Sequence, residues 1–596
     1  MAALVNLPDP FGLSFSVDGL HWYELQSSGL ETYQQRLALR EGVLHRQVSV
    51  DFAGAIWHLN ETRLVSMAEP DVLLLRWTLD VPPQGSSLWV RSRFDAAVQN
   101  HLIEKNLAYE GRRLQNVEFD HAGSGRAAVS ATLEDPSRRL AMALETRLHG
   151  TAAQWQVSRE GDCLIQITQV ANAGGRRWCI EKRVAVQFDD ALPASSCAAR
   201  AQVMQRLPTA EYQALADAHR SAWSAIWESV SLDLEDAELE RRLRLHIFHL
   251  LGAVSPLSLG HDQGFPPRAW HEGYFGQVFW DEMFAYPFLV THFPALAHNL
   301  LRYRHKRLDA ARGRAQRAGL RGALFPWRSA ASGEEETPPF QLNPLSGRWM
   351  ADHTHLEWHV GSAIAYDAWL LYLATGDTDL LLNEAGELIL EVARFWASAA
   401  RHDQRLDRYV IEGVIGPDEY HHRYPDAGQP GVNNNAYTNL MAAWALRLGT
   451  QVLDALPMPQ GRLLLDRLQL GADEPERWDR ISRRMYLPFH SDGVLAQFDG
   501  FEQLKQPPDS WREGDRPRLD WMLEAQGDLS DRYQLSKQAD VLTLLHLFPP
   551  NHLQEMVERC GYRFDNYVVW RTAAYQLSHI THESILSKII CAGALT

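Results

Sequence analysis

Two adjacent carboxyls, Asp418 and Glu419, are followed by Tyr420 and by the imidazoles of His421 and His422, in a stretch broken by Gly413, Gly416 and Pro417. The stretch lies between an apolar segment ending near Ser398 and another opening near Ala436. It therefore reads as a loop, and loops on rigid scaffolds are where catalytic groups gather. A carboxylic acid placed there can protonate a departing oxygen, which makes Glu419 the candidate general acid of a reaction at a glycosidic bond. Exposed carboxylates on a turn need no function, so the reading rests on what accompanies them.

Four other positions offer sugar-binding chemistry. Asp281, after Trp280, opens a helical segment, where it is either the N-cap or an acceptor for sugar hydroxyls. Trp327, followed by Glu334, Glu335 and Glu336, brings an indole and carboxylates to one loop, which is also the composition of a solvated acidic turn. Lys537 and Gln538 open a helix with a cation and an amide, donors suited either to two neighbouring hydroxyls or to an exposed helix face. His582, Ser584 and Ser587 set donors at the start of the last helix, an anion site that a Ser or Thr cap half explains without function. His353, His355 and His359 repeat no ligand spacing, so no metal is expected.

These positions need two kinds of scaffold. From Leu13 to about Gln205 apolar residues recur with period two, as in Leu44, Val48, Val50 and Phe52, with turns at 82–85 and 173–175, which predicts an antiparallel β-sandwich. Between Pro208 and Ser229 the period becomes helical, with Tyr212, Leu215, His219, Trp223 and Ile226 on one face, a linker helix. From Asp236 onward about a dozen helical segments follow, among them Asp281 to Phe293, Ala295 to Ala318, His355 to Thr375 and Ala436 to Leu456. Long Gly/Pro/Trp-rich connections at 256–280 and 319–354 favour an α/α toroid over a helical solenoid, because functional loops are the usual reason for such lengths. The expected domains are residues 1–205, 206–235 and 236–596.

The 596 residues exceed what one core supports. Fifty-eight basic against 74 acidic side chains leave a net charge of −16, which argues against a nucleic-acid partner. Five scattered cysteines without a Cys-x-x-Cys pair indicate neither a disulfide framework nor a zinc site, and fit a reducing cytoplasm. No signal peptide or membrane span is legible, so a cytoplasmic protein without membrane association is expected. The 20 tryptophans suit sugar faces but also ordinary cores.

Five ordered motifs carry a resemblance over the chain from about Ser14 to its end. They are Gly276 to Asp281, Leu301-Arg302-Tyr303-Arg304 through Trp327, Gly413 to His421, Asn433 to Asn439, and Lys537 to Val541. In that order they resemble glycoside hydrolase family 65, with the closest likeness to its bacterial trehalose- and kojibiose-processing branch. The resemblance implies an N-terminal β-sandwich, a linker helix and an (α/α)6 barrel. It implies Glu419 as the acid, Trp280, Asp281, Lys537 and Gln538 as holders of the non-reducing glucose, and His582, Ser584 and Ser587 as the phosphate loop. Two residues depart from the family, Gln277 where a His is usual and Ile585 where a Ser or Thr is usual. By the same resemblance the chain is expected to be short at both ends, lacking an opening segment of the sandwich and stopping inside or just after the last barrel helix, where relatives continue into a small β domain.

Inversion needs an acid for the leaving oxygen and a nucleophile on the opposite face. A hydrolase must add a carboxylate to activate water, whereas phosphate attacks unaided. Where hydrolytic relatives place that base, the sequence reads Tyr575-Gln576-Leu577-Ser578. The expectation is therefore phosphorolysis of an α-glucosyl disaccharide of the trehalose, kojibiose, nigerose or maltose type to β-glucose 1-phosphate. Phosphate is the co-substrate, there is no other cofactor, and Glu419 is held protonated by a partly dry pocket. Hydrolysis of the same substrates is the alternative that Ile585 favours, and an inactive sugar-binding relative is the second. The resemblance implies a homodimer.

Overall fold

The computed structural model describes residues 3–24, 29–83, 87–511, 517–581 and 584–595. By backbone contacts the chain forms two compact units. One comprises Val5–His101 and Glu110–Leu257, the other Ser258–Thr596 together with Met1–Leu4 and Leu102–Tyr109.

The first unit is antiparallel throughout. Its larger sheet has eight strands in the spatial order Leu30–Ala38, Val43–Phe52, Ala55–Val65, Val72–Asp80, Arg177–Phe188, Arg139–Leu148, Arg126–Thr132 and Gln115–His121. The smaller has four, in the order Leu13–Ser16, Ser87–Asp95, Cys163–Ala171 and Gln156–Glu160. Strict alternation places Leu88, Val90, Ser92 and Phe94 inward from one strand, with Arg91 and Arg93 turned the other way. Phe15, Leu88 and Val90 of the small sheet share one core with Trp57, Leu59, Trp77 and Ile180 of the large one, so the two sheets face each other as a sandwich. The outer face of the large sheet is covered by helices. Val43, Leu64 and Leu74 bury Tyr212, Leu215 and Ala216 of the helix Tyr212–Glu228, the segment whose period had changed from two. A shorter helix, Ser196–Gln205, lies within the stretch read as strands. Its cap comes from the Ser195 hydroxyl, which accepts from the Ala198 N–H, a local signal hidden by the surrounding alternation.

The second unit is helical. Val360–Thr375, Gly386–Ala399 and Ala436–Ala455 are buried on nearly every side and so have neighbours all round. Close approach is possible at Gly449, where a Cβ would stand 2.9 Å from both Ala393 and the Trp478 ring. The segment read as one helix from Ala295 to Ala318 is two, Pro294–Lys306 and Leu308–Arg317. The break falls at Arg307, which folds its guanidinium back over the Tyr303 ring, 3.6 Å from the centroid, and pairs with Asp262 at 2.9 Å. Among the described residues no helix is long and apolar enough to cross a membrane.

Residues Leu102–Tyr109 leave the sheets to group with the helical unit. The Tyr109 hydroxyl donates to the Phe340 carbonyl at 2.8 Å, and its ring meets Phe275 and Trp349 edge-on. Within this excursion a single helical turn, Glu104–Asn106, carries Lys105.

Candidate active site

The acid loop is pinned at its start by backbone pairing of Val414 with Val432 and by the Ile415 N–H donating to the Leu356 carbonyl at 3.1 Å, and at its end by pairing of Arg423 with Gly431. At Gly416 a Cβ would fall 2.2 Å from Asn435 Nδ2 and 2.5 Å from Asp540 Oδ2, so the backbone reaches its place only because the side chain is missing. The loop then turns through Glu419 at φ +62°, a left-handed conformation that an L-residue adopts only when its surroundings impose it.

Asp418 imposes it. Its carboxylate is 2% exposed, accepts from the Lys537 N–H at 2.7 Å and the Tyr420 N–H at 3.2 Å, and meets His421 Nδ1 at 2.6 Å. The other nitrogen of His421 lies 3.0 Å from the Tyr533 carbonyl. Burial alone would push His421 down, but Asp418 outweighs it and the imidazole titrates above its ordinary value. The first member of the acidic pair is therefore a latch between the acid loop and the Lys537 segment. The second is the reactive one.

Glu419 receives the Lys537 ammonium on one oxygen at 2.5 Å and the Gln538 amide on the other. Burial favours its neutral form, yet Lys537 and then Lys105 overcome that, and Glu419 titrates below its ordinary value. The expectation that a dry pocket keeps this acid protonated is thus corrected. In the sugar-free site the carboxylate is ionised, because charge and hydrogen bonds from neighbouring donors outweigh desolvation. Lys537 and Gln538, expected as hydroxyl donors, are both spent on Glu419 here.

Of the remaining predicted positions, Asp281 lies near enough to feel the charge of this carboxylate. Asp281 precedes the helix Glu282–His292 but makes no side-chain cap bond, so its carboxyl is not spent on the helix. Burial first, then the nearby charges of Glu419 and Glu282, push it up to about 7. Trp280 packs edge-on against His359, 4.6 Å between centroids, and against Tyr437. Trp327 sits 5.3 Å from Phe279 and 5.7 Å from His359. Glu335 takes the N–H groups of Trp327 and Arg328 and pairs with Arg314 at 2.9 Å, so it braces the tryptophan loop from within.

His582 lies outside the described residues. Ser584 stands at the N-cap of Ile585–Ala594 without capping it, and its hydroxyl reaches Gln538 Oε1 at 3.4 Å. Ser587 is fully buried and its oxygen accepts from the Ala539 N–H at 2.7 Å, tying the last helix to the Lys537 segment. Ile585, the departure from the family pattern, is 77% exposed.

Three residues join the site without having been singled out for it. Glu357 is 1% exposed, among the described residues neither of its oxygens is hydrogen-bonded, and burial together with Glu419 holds its carboxyl well above the ordinary range, so it is neutral. His359 is fully buried, its Nε2 stands 3.8 Å from Glu357 without a hydrogen bond to either nitrogen among the described residues, and burial pushes it down to about 3, so it is neutral too. Unsatisfied buried polar groups beside a reactive carboxylate are what a polyhydroxylated ligand completes. The histidine spacing 353, 355, 359 was the visible signal, read only for metals. His353 neighbours His355 and His422 instead. The third residue, Lys105, had no local signal at all.

Among the described residues one trio could share a metal ion, His149, Cys179 and Glu181 of the sheet unit. Glu181 is already held by Arg76 at 2.6 Å and Arg183 at 3.2 Å, guanidiniums that would repel a cation.

The chain matches two family models, the N-terminal domain of glycosyl hydrolase family 65 over residues 1–226 and that family's central catalytic domain over residues 244–595. It is 37% identical to an uncharacterized glycosyl hydrolase of Mycobacterium tuberculosis, with all of this chain aligned to 45% of that protein's length. It is 29% identical to the trehalose 6-phosphate phosphorylase of Lactococcus lactis, over 99% of this chain and 74% of the relative. In fold it is similar to a solved structure described as a candidate kojibiose phosphorylase from the human microbiome. The TM-score is 0.77 at 17% identity, over 99% of this chain and 73% of that one.

Proposed function

The chain belongs to glycosyl hydrolase family 65, and from that premise we propose that it catalyses inverting phosphorolysis of an α-glucosyl disaccharide of the trehalose, kojibiose, nigerose or maltose type. The products are β-glucose 1-phosphate and a free sugar. One observation carries the reading: Gln538 bonds both Glu419 and the Ser584 hydroxyl, so the acid and the candidate phosphate loop meet on one side chain. The phosphorylase from Lactococcus lactis is a relative over nearly the whole chain, which supports the same choice.

In this mechanism Asp281 and the donors of Lys537 and Gln538 take the hydroxyls of the non-reducing glucose, with Trp280 and Trp327 walling the site. Once sugar hydroxyls occupy Lys537 and Gln538, Glu419 loses the partners that hold it ionised. Burial then dominates and the carboxyl takes up a proton. That proton goes to the bridging oxygen as the C1–O bond breaks. Phosphate, cradled by His582, Ser584 and Ser587, forms the new bond from the opposite face. The product leaves Glu419 ionised, ready for the Lys537 contact to close again. No metal or organic cofactor takes part.

Disaccharide binding near neutral pH should therefore draw about one proton per site from solution. Calorimetric titrations in buffers of different ionisation enthalpy give that number as a slope, and a flat line would mean that Glu419 stays charged in the complex.

Hydrolysis is the second reading, favoured by Ile585, whose side chain supplies no hydroxyl to the loop that would hold phosphate. Incubation with trehalose, kojibiose, nigerose and maltose, with and without phosphate, separates the two. Phosphorolysis yields β-glucose 1-phosphate only with phosphate present, and free glucose as the sole product under both conditions rejects it.

A further inference from the structure

Alternation along the strand Ala55–Val65 turns Trp57, Leu59 and Glu61 to the buried side, so a carboxylate stands where the pattern calls for an apolar side chain. Glu61 is 3% exposed and sits directly opposite Arg46 on one neighbouring strand and Trp77 on the other. One of its oxygens receives Arg46 at 3.2 Å and Arg63 at 3.0 Å, and the other receives the Trp77 indole N–H at 2.7 Å. The carboxylate is fully used, but the row it anchors is not. Arg63 Nε is buried and has no hydrogen-bond partner among the described residues.

This row lines a cavity of about 190 Å³ in the sheet unit, together with Phe11, Gly12 and Tyr23. Tyr23 is a second anomaly. It is 2% exposed, its ring stacks on Phe15 at 4.8 Å between centroids, and its hydroxyl has no hydrogen-bond partner among the described residues. Burial raises the Tyr23 phenol against the pull of Arg46, which puts that guanidinium within electrostatic reach of the idle oxygen. The segment carrying Phe11 and Gly12 is held in place rather than collapsed into the space. Lys182, fully buried, donates to the carbonyls of Pro10 at 2.5 Å and of Gly12 and Arg93 at 2.9 Å, and the Arg63 guanidinium stands 4.9 Å over the Phe11 ring.

A phenol hydroxyl and a guanidinium N–H left dry and unpaired cost on the order of 1 to 3 kcal/mol each, a cost that a bound partner removes. A cavity of about 150 Å³ already admits one six-membered ring. The lining sets the guanidiniums of Arg46 and Arg63 against the carboxylates of Asp9 and Glu61, so it calls for a ligand without net charge. It offers aromatic side chains beside hydrogen-bonding groups, which suits a pyranose, with C–H faces for the rings and hydroxyls for the polar atoms. We propose that this cavity is a non-catalytic sugar subsite of the sheet unit, taking one neutral hexopyranose with its hydroxyls on Tyr23 and Arg63 and its ring against Phe11 and Trp77. None of these residues belongs to the candidate active site, and the inference does not rest on phosphorolysis.

Hydrogen exchange on the full-length protein titrated with glucose localises the binding. Residues 9–23 and 57–64 should gain protection that saturates with glucose, and residues 413–423 of the acid loop should give a separate curve. Tyr23→Phe deletes an oxygen without a partner, so it should fold as the wild type does, while the glucose Kd read in the sheet segments rises about tenfold, the scale of one hydrogen bond. Arg63→Met should raise that Kd by a similar factor, and the acid-loop curve should stay in place in both variants. Maltotetraose in place of glucose distinguishes the sources of the ring: tighter binding in the sheet segments assigns the subsite to the end of a glucan chain, and equal binding assigns it to free hexose. Absence of saturable protection in the sheet segments at every glucose concentration means that the cavity takes up only water, and overturns the inference. So does a Tyr23→Phe protein whose Kd in those segments is unchanged.

Discussion

Glu419→Gln is expected to lower turnover of the disaccharide by about 10²- to 10⁴-fold, the range of a lost general acid, while disaccharide binding persists. The amide keeps the shape of the side chain and can still meet a neighbour, but it has no proton to give the bridging oxygen. Lys537 no longer faces a carboxylate and is freed for hydroxyls, so affinity for the intact disaccharide should hold or rise. Steady-state turnover and calorimetry on one preparation make the comparison. A control removes the ambiguity of misfolding: α-glucosyl fluoride has a leaving group that needs no proton, so phosphate should convert it with the variant far better than it converts the disaccharide. Unchanged turnover of the disaccharide would remove Glu419 from the role of acid.

The second large effect concerns stability. Asp418→Ala should cost about 3 to 5 kcal/mol, the usual consequence of removing one partner from a buried charged pair. Asp418 and His421 are each nearly inaccessible, and the substitution leaves the imidazole facing a void while releasing the Lys537 N–H. Denaturant unfolding measures the loss. The pH dependence has a definite sign. His421 titrates above its ordinary value in the folded protein, so its contribution is fully present below pH 6.5 and fades as the pH climbs through the raised value. The gap between wild type and Asp418→Ala should therefore be widest in mild acid and narrow on the alkaline side. A loss below 1 kcal/mol that is flat with pH would mean that the latch does not hold the loop.

The sequence reveals the site unevenly, and the reasons are physical. The acid loop is legible because glycine, proline and adjacent carboxyls leave a signature within ten residues. The sheets and helices are legible because burial on one face imposes a period. The helix Ser196–Gln205 is missed because ten residues capped by one serine give too little periodicity against a long alternating background. Asp281 illustrates a different limit: a residue before a helix looks the same whether or not its side chain caps it, and only the coordinates show the carboxyl uncommitted. The ionisation of Glu419 is the clearest case. Burial argued for a neutral acid, but the outcome depends on Lys537, 118 positions away, and on Lys105. Sequence distance hides which charges share a cavity, so a pKa is the last property a sequence yields.

The excursion of Leu102–Tyr109 makes the helical unit discontinuous along the chain. A truncated protein starting at Ser258, the natural cut from the linear order, would contain the acid loop, Lys537 and Gln538 but not Lys105. It should therefore miss one of the cations that depress the acid, and its alkaline limb of activity should move to higher pH. The same arrangement orders events at the ribosome: the turn carrying Lys105 emerges early and must wait for some 230 further residues before Phe340 is available to receive Tyr109. Assembly of the catalytic half is thus coupled to completion of the chain, and grafting this half onto another scaffold means carrying an eight-residue piece from the other.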